Sequence, residues 1–473
     1  MSAGFSASRE VRRVDGANRK SHPRNIAAPP HFVPPGPSSA PHSSGALPPA
    51  APQSLYFPCA VPGRSGDHLE IFQLLLAVFQ GPTSAEFHAA QDDPLYEPTD
   101  RLVVKRGERI LSHVHLTKRS LRFGGERVPV AGLNWLGTLP EFRGQGCAAS
   151  LLRAAETQMR EDGAVLGQLR TKIPHFFRRF GWAVCGRHSF SRAKPREVLA
   201  NLSDGGYLHR SSLNIRFWRH VELPALMRIY RQNTDVAHGP LDRSENYWRW
   251  LVSRKAFDQI IVAIDGPDKL ELEETSAPIV GYAVVRGRQV VELLTTPGHP
   301  TAGPLLLARA CGDLIEHDDR PVTLQAPIDD PLHRFMQGCG GLTHHHESDQ
   351  GEVLMVKLLD ESKWIRAIAP ALLARARAAD LTRPCELGLL SGGARWQVVV
   401  SSRGVKFLRG KLGRSYLALN PCELARLFLG HLDLPEAAAQ NRVEPSTQTA
   451  LETAAALFPR LPLWRPLWDD LPA

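Results

Sequence analysis

The chain has 473 residues, 43% hydrophobic and 22% charged, which is typical of a folded globular protein with room for about three domains. Its apolar runs fall short of the roughly 18 residues that a membrane helix needs and its first residues lack an apolar signal core, so we expect a cytoplasmic protein with no membrane partner. The formal net charge of +9 is spread along the chain, which argues against nucleic acid as a partner and suits a smaller anionic ligand.

The first two segments of the chain differ sharply in composition and sequence pattern. Residues 1–53 are rich in proline, serine and alanine and predict a disordered tail, which would recruit partner proteins if the chain were an adaptor. Residues 54–203 predict a domain of helices and strands. Apolar residues recur at helical spacing in DHLEIFQLLLAVFQ, an antiparallel strand meander follows, and PEFRGQGCAASLLRAAE opens a second helix. The strand AVLGQLRT and the aromatic run PHFFRRFGWAVCG complete the domain.

Residues 204–361 repeat this order of elements. A helical pattern over residues 217–233 precedes the strand-like runs IIVAIDG and PIVGYAVVRGRQVVELLTT, and GPLLLARACGDLIEH is the matching helix. Gly303 stands where the first copy has Gly146, but Pro300 and Pro304 replace the arginine and the cysteine of the first turn. The sequence therefore predicts a duplicated fold in which only the first copy keeps its glycine turn.

Residues 362–473 predict a third, smaller domain. The helical runs WIRAIAPALLARARAA, NPCELARLFLG and STQTALETAAALF surround several short strands. The ending PRLPLWRPLWDDLPA combines proline with tryptophan, which predicts an extended tail held on another part of the protein by its indoles. A frayed C-terminus is the alternative.

The glycine turn before the second helix is the candidate binding site. The first four amides of a helix lack partners within it, and the helix dipole adds partial positive charge there, so an anion is stabilised at this end. Glycine lets a phosphate approach the backbone closely. The alternative is a turn that only connects two elements. The predicted pyrophosphate cradle comprises Arg143, Gly144, Gln145, Gly146, Cys147 and Ala148.

The order of these elements resembles the GNAT superfamily of N-acetyltransferases. A strand meander comes first, the RGQGCA turn with its helix follows, and a strand, a helix and an aromatic strand come last. RGQGCA is similar to the signature (Arg or Gln)-x-x-Gly-x-(Gly or Ala). The layout of residues 55–473 is similar to the enhanced intracellular survival (Eis) family. That resemblance implies an α/β fold of tandem GNAT domains with mixed, mostly antiparallel sheets, a degenerate second copy and a sterol-carrier-like C-terminal domain.

The resemblance also implies a reaction. Acetyl-coenzyme A would be the donor, and a primary amine of an aminoglycoside, a polyamine or a lysine-like peptide would be the acceptor. A bulge would splay the strand before the turn, so that the backbone amides of Leu136, Gly137 and Thr138 meet the thioester and the pantetheine arm. A homo-oligomer, a hexamer in the family, is a further expectation.

The catalytic residues that the resemblance implies are incomplete in this chain. The family's acid is a tyrosine, and its position falls on Phe177, which has no proton to give. His175 would face the same way on a strand, which makes it the candidate replacement; an ordinary surface histidine is the alternative. The base would be the terminal carboxylate of Ala473, with Asp469 and Asp470 as alternatives. Phe177 also leaves open a noncatalytic protein that binds an acyl-coenzyme A or a lipid.

Other polar or aromatic runs favour structural roles. HHHESD, from His344 to Asp349, lacks the further ligands of a zinc site and predicts a solvated turn, so we expect no metal. ENYWRWL, from Glu245 to Leu251, has helical spacing and predicts core packing. The seven cysteines are scattered, which suits reduced thiols in a core.

Overall fold

The chain adopts a mixed α/β architecture with mostly antiparallel sheets, as the sequence predicts. The structure, a computed structural model, describes residues 58–185, 188–204, 212–266, 278–315, 320–346 and 353–471, so the tail predicted for residues 1–53 lies outside them. Residues Tyr56–Ala473 form one structural unit. Within the described ranges, no helix is both long enough and apolar enough to cross a bilayer.

The secondary-structure elements follow one another along three parts of the chain. The first part contains β1 (Ala60–Pro62), α1 (His68–Phe79), α2 (Ser84–Gln91), β2 (Arg101–Arg106), β3 (Arg109–Phe123), β4 (Glu126–Thr138), α3 (Cys147–Glu161), β5 (Leu166–Thr171), α4 (Pro174–Arg178), β6 (Ala183–Val184), β7 (His188–Ala193) and α5 (Pro195–Asp204). The second part contains β8 (Leu213–Phe217), α6 (Leu223–Thr234), β9 (His238–Leu241), α7 (Glu245–Ser253), β10 (Gln259–Asp265), β11 (Ile279–Arg286), β12 (Gln289–Thr295), α8 (Ala302–Gly312), β13 (Val322–Gln325), α9 (Pro331–Gly338), β14 (Leu342–His346) and β15 (Val353–Leu358). The third part contains α10 (Glu361–Ala367), α11 (Ala369–Ala378), β16 (Cys385–Ser391), β17 (Ala394–Ser401), β18 (Gly404–Arg409), β19 (Tyr416–Leu419), α12 (Pro421–Phe428), α13 (Leu434–Ala439), β20 (Val443–Pro445) and α14 (Gln448–Leu457).

The first two sheets exchange a strand. The eight-stranded first sheet runs β1-β2-β3-β4-β5-β15-β6, with β9 beside β3, so β15 from the second part lies between β5 and β6. In the second sheet, β14-β7-β13-β12-β11-β10-β8, β7 from the first part lies between β13 and β14. The predicted ranges 54–203 and 204–361 therefore share strands. The strand pattern shows which side chains are buried but does not specify which sheet a strand joins.

Helix α3 packs on one face of the first sheet. Its buried residues Leu151, Leu152, Ala155 and Met159 lie on one side at helical spacing and share a core with β2, β3 and β4. The opposite face of the same sheet contributes to a larger core that also includes the third, five-stranded sheet β18-β17-β16-β19-β20. The two faces of the first sheet thus meet different surroundings.

Two local expectations need correction, and a third is confirmed. The helix predicted over residues 217–233 begins only at Leu223, because Phe217 ends β8. His344 to His346 form the end of β14 rather than a turn, and residues 347–352 lie outside the described ranges. The ENYWRWL run does form a helix, α7, and its Trp248 is buried as predicted.

The C-terminal tail is held by its indoles, as predicted. Trp468 is fully buried against Trp248 and Phe257. The backbone amide of Trp464 donates a hydrogen bond to the carbonyl of His238 on β9, 3.0 Å away. The alternative of a frayed end is therefore wrong as far as Leu471, the last described residue.

Candidate active site

Strand β4 contains the bulge that the family resemblance implies. Along the β3–β4 ladder His113 pairs with Gly137 and His115 with Asn134, so two residues of β4 oppose one of β3. Trp135, the first of those two, has a left-handed φ of 55°. On its other side β4 pairs with β5 only as far as Gly132, although β4 continues to Thr138. The two parallel strands therefore diverge beyond Gly132 and leave an opening.

A turn with two left-handed glycines connects this strand to α3. Gly144 and Gly146 have φ values of 78° and 83°, a region that favours glycine. Gly146 is the N-cap, and its carbonyl accepts the amide of Ser150 at 2.9 Å. Because the cap residue is a glycine, no cap side chain satisfies the first amides of α3. In contrast, side chains such as those of Thr83, Ser244 and Asn420 cap other helices of the chain.

A cleft of about 520 Å³ opens at this end of α3. Six of the nine residues predicted to bind the cofactor line this cleft: Thr138, Arg143, Gly144, Gly146, Cys147 and Ala148. The other three, Leu136, Gly137 and Gln145, are not among its lining residues. Leu136 packs into the core beside α3, and a Cβ on Gly137 would lie 2.7 Å from the Phe79 ring. The lining residues are Thr138, Phe142, Arg143, Gly144, Gly146, Cys147, Ala148, Ala149, Phe176, Arg179 and Phe180.

Two arginines give the cleft positive charge. Arg143 is exposed, and its Nε lies 3.4 Å from the carbonyl of Thr138. Arg179 also lines the cleft, and its guanidinium lies 5.4 Å from the centre of the Phe176 ring. No ion pair joins either arginine to a carboxylate among the described residues. Cys147 is buried, and burial raises the pKa of its thiol, which keeps it protonated and unreactive. The cleft thus offers amides and guanidinium groups to an anion.

The corresponding turn of the second copy is closed. Helix α8 begins at Ala302, and its first-turn residues Ala302, Gly303 and Pro304 are all buried. A Cβ on Gly303 would lie 3.4 Å from the side chain of Leu332, which α9 places over it. Side chains therefore fill the space that is open in the first copy.

The expectation that His175 and Phe177 share a face is wrong. Both lie on helix α4 rather than on a strand, so residues two apart point to nearly opposite sides. Phe177 is 5% exposed and packs in the core with Trp182, while His175 is exposed. Neither residue lines the cleft. An acid role for His175 stays a prediction without geometric support.

The tail reaches the divergent end of β5. Asp470 accepts a hydrogen bond of 2.8 Å from Nε of Arg170 on β5, and its other oxygen lies 2.8 Å from Arg465. These arginines lower the pKa of the Asp470 carboxyl, although burial alone would raise it. Asp469 is bound by Arg243. Such pairing disfavours both aspartates as a base. Ala473 lies outside the described residues, two positions beyond Leu471.

Comparison with known proteins indicates the protein family that the residues of this site match. Residues 62–185 match the family model of the acetyltransferase (GNAT) domain. No curated protein sequence matches the chain. The GCN5-related N-acetyltransferase of Anabaena variabilis is similar in structure, with a TM-score of 0.65 and 17% identity over 86% of this chain and 98% of that one. The GCN5-related N-acetyltransferase of Kribbella flavida has a TM-score of 0.65 and 18% identity over 86% of this chain and 97% of that one. Eis1 of Mycobacterium abscessus has a TM-score of 0.59 and 17% identity over 86% of this chain and 98% of that one.

These identities are low, so the structural similarities establish the fold and nothing finer. The family match covers the bulged strand, the glycine turn and α3. Residues 62–185 are accordingly a GNAT acetyltransferase domain, so this part of the chain is a GNAT-type acyltransferase domain. The second sheet and the third sheet lie entirely outside the matched residues.

Proposed function

We propose that the chain transfers an acetyl group from acetyl-coenzyme A to a primary amine, and that it is an Eis-like tandem GNAT protein whose third domain is of the sterol-carrier type. The observation that supports this most directly is the open, uncapped N-terminus of α3 after Gly146, beside the bulge of β4. The pyrophosphate would bind the first amides of α3 with help from Arg143 and Arg179. The thioester would lie against the backbone between Trp135 and Thr138, where β4 has left β5.

The reaction forms an N–C bond and breaks a C–S bond. An amine with a pKa near 10.4 is neutral in only roughly one molecule in a thousand at pH 7, so a base that takes its proton raises the rate. The terminal carboxylate of Ala473 is the proposed base. It follows Leu471, whose carbonyl accepts a hydrogen bond of 2.7 Å from Arg254, and two residues span at most about 7 Å. The coenzyme A thiolate leaves fairly well unaided, because its pKa is about 8.5.

The test combines binding with turnover. Calorimetric titration with coenzyme A would measure binding, and thiol release from acetyl-coenzyme A in the presence of a panel of amines would measure transfer. Gly146→Ala should weaken coenzyme A binding about tenfold, because a left-handed alanine costs roughly 1–2 kcal/mol and shifts the turn. Gly303→Ala is the matched control at the corresponding helix of the second copy, and its binding should equal that of the wild type. Equal binding by Gly146→Ala would contradict the proposed cradle.

A second candidate is a noncatalytic protein that binds an acyl-coenzyme A or a lipid. The burial of Phe177 at the position of the family's acid favours it, because no hydroxyl is supplied there. This candidate predicts saturable coenzyme A binding without thiol release for any amine.

A further inference from the structure

Three neighbouring strands present a row of polar side chains on the sheet face opposite α3. Arg101 of β2 pairs with His115 of β3, and His115 pairs with Asn134 of β4. The residues next to them along the strands, Leu102, Val114 and Leu133, pack on the α3 side. Side chains alternate between the faces of a strand, so Arg101, His115 and Asn134 point away from α3.

The exposed end of this row lies where β4 and β5 diverge, whereas Arg101 and His115 are buried in contact with Tyr96. Asn134 is exposed although it lies within an interior strand of the sheet. Pairing between β4 and β5 ends two residues earlier, at Gly132. The row therefore runs from the opening beside the bulge toward Arg101, over two strand spacings of about 4.8 Å each, or about 10 Å.

Arg101 is a buried cation without a carboxylate. It is 1% exposed, and its guanidinium lies 4.6 Å from the centre of the Phe87 ring. Its Nε donates to Oη of Tyr96 at 3.0 Å, and Nη1 donates to Nε2 of His113 at 3.3 Å. In the described part of the chain, no Asp or Glu lies within ion-pair distance of Arg101 and Nη2 has no hydrogen-bond acceptor. Buried charges in proteins are ordinarily paired, as Arg243 is with Glu292.

The imidazole of His113 connects Arg101 to the bulge. Because Nη1 of Arg101 donates to Nε2, the proton of His113 is on Nδ1, which donates to the carbonyl of Trp135 at 3.2 Å. Burial first, and then the charge of Arg101, lowers the pKa of His113 and of His115 well below the usual value. Both imidazoles are therefore neutral near pH 7, and Arg101 is the positive charge of this group.

We propose that Arg101 binds a carboxylate of the acceptor, so that the acceptor is an amine that also carries an acid group, such as an amino acid or an ω-amino acid. The inference rests on the proposed function, because it assumes that the amine reaches the opening beside Asn134. The row limits the separation of amine and carboxylate to about 10 Å. A polycationic acceptor would instead place a second positive charge against Arg101, which disfavours it.

The experiment uses the full chain, acetyl-coenzyme A and three acceptors of equal length: 5-aminovalerate, pentylamine and cadaverine. The far end of these molecules is anionic, neutral and cationic, respectively. We expect kcat/KM for 5-aminovalerate to exceed that for pentylamine by about 10- to 100-fold, which is the range for a hydrogen bond to a charged group, and cadaverine to be poorest. Arg101→Gln should bring the ratio of 5-aminovalerate to pentylamine close to one, and Arg101→Lys should retain part of it.

Arg249→Gln is the control, because Arg249 has a side chain that is 67% exposed and should leave the ratio unchanged. Thermal unfolding of each variant would verify that it is folded. A wild-type enzyme that acetylates the three amines with equal kcat/KM, or an Arg101→Gln variant that keeps the wild-type ratio, would overturn the inference while leaving acetyl transfer intact.

Calorimetry separates the inference from the proposed function. If no amine releases thiol, the proposed function fails, but binding of 5-aminovalerate and of pentylamine can still be compared. Tighter binding of 5-aminovalerate that is lost in Arg101→Gln would support the inference. Absence of any difference, or of any binding, would overturn it.

Discussion

Replacing Arg243 by methionine should release the C-terminal tail. Its guanidinium binds Glu292 at 2.5 and 3.0 Å and Asp469 at 2.9 and 3.0 Å, and all three side chains are 0% exposed. Tyr247 adds a hydrogen bond to Asp469. Removing the cation leaves two buried carboxylates unpaired, and breaking a buried ion pair in this way costs about 3–5 kcal/mol. At 1.36 kcal/mol per tenfold change, the tail should open about 150- to 5,000-fold more often.

Hydrogen exchange of the tail, followed by mass spectrometry of peptides covering residues 463–471, measures this opening directly. Fluorescence offers a second signal, because release exposes Trp468 and should shift its emission to the red. Burial raises the folded-state pKa of Glu292 and Arg243 opposes that rise, so without Arg243 this pKa lies further above the unfolded value. A carboxyl whose pKa is higher in the folded state than in the unfolded state stabilises the fold most at pH values below its unfolded-state pKa. That stabilisation is lost as the pH rises through its folded-state pKa. The defect should therefore shrink between pH 7 and pH 5.

Two further variants make the reasoning refutable. Asp469→Asn in the Arg243→Met background removes one orphaned charge and should restore part of the protection. Arg249→Gln, on the exposed side of α7, should exchange like the wild type. Exchange in Arg243→Met within tenfold of the wild type would refute the assignment of tail docking to this ion cluster.

Three shorter predictions follow. Phe177→Tyr should lower stability by about 1–3 kcal/mol without raising kcat, because the hydroxyl enters a site that is 5% exposed; an increase in kcat would show that it reaches the thioester. His175→Ala should keep the wild-type kcat and its pH profile, since His175 is exposed and outside the cleft, and a tenfold loss would revive its role as the acid. Burial, with the charge of Arg375, lowers the pKa of His238 to about 4, so protonation favours the unfolded state and stability should fall as the pH drops from 6.5 to 4. In urea titrations His238→Asn should show a smaller fall, and an identical pH slope would contradict this account.

The local features of the site could be read from the sequence. Glycine at positions 144 and 146 indicated a turn that other residues adopt at a cost, and both have positive φ in the structure. The bulge in β4 was implied by family resemblance and is present in the strand register. The family resemblance implied a helix after β5, but His175 and Phe177 were placed on a strand instead of on this helix. Pro174 at the first position of α4 was a usable signal, because helices often begin with proline.

Features that depend on long-range pairing could not be predicted in this way. Arg101 and His115 share a row only because β2 and β3 adopt one particular register. Arg243 and Asp469 are 226 positions apart, and nothing in the local pattern of either residue indicates the other. Burial of a charged residue without its partner is visible only once the strands and the tail have been placed.

The exchange of β7 and β15 also constrains how the protein is made. The first sheet lacks the strand between β5 and β6 until residues 353–358 have left the ribosome, roughly 170 residues after β6. At about 5–20 residues per second, this takes about 10–35 s. During that interval the edge of β5 has no permanent neighbour, so the nascent chain presents an open strand that chaperones would need to shield.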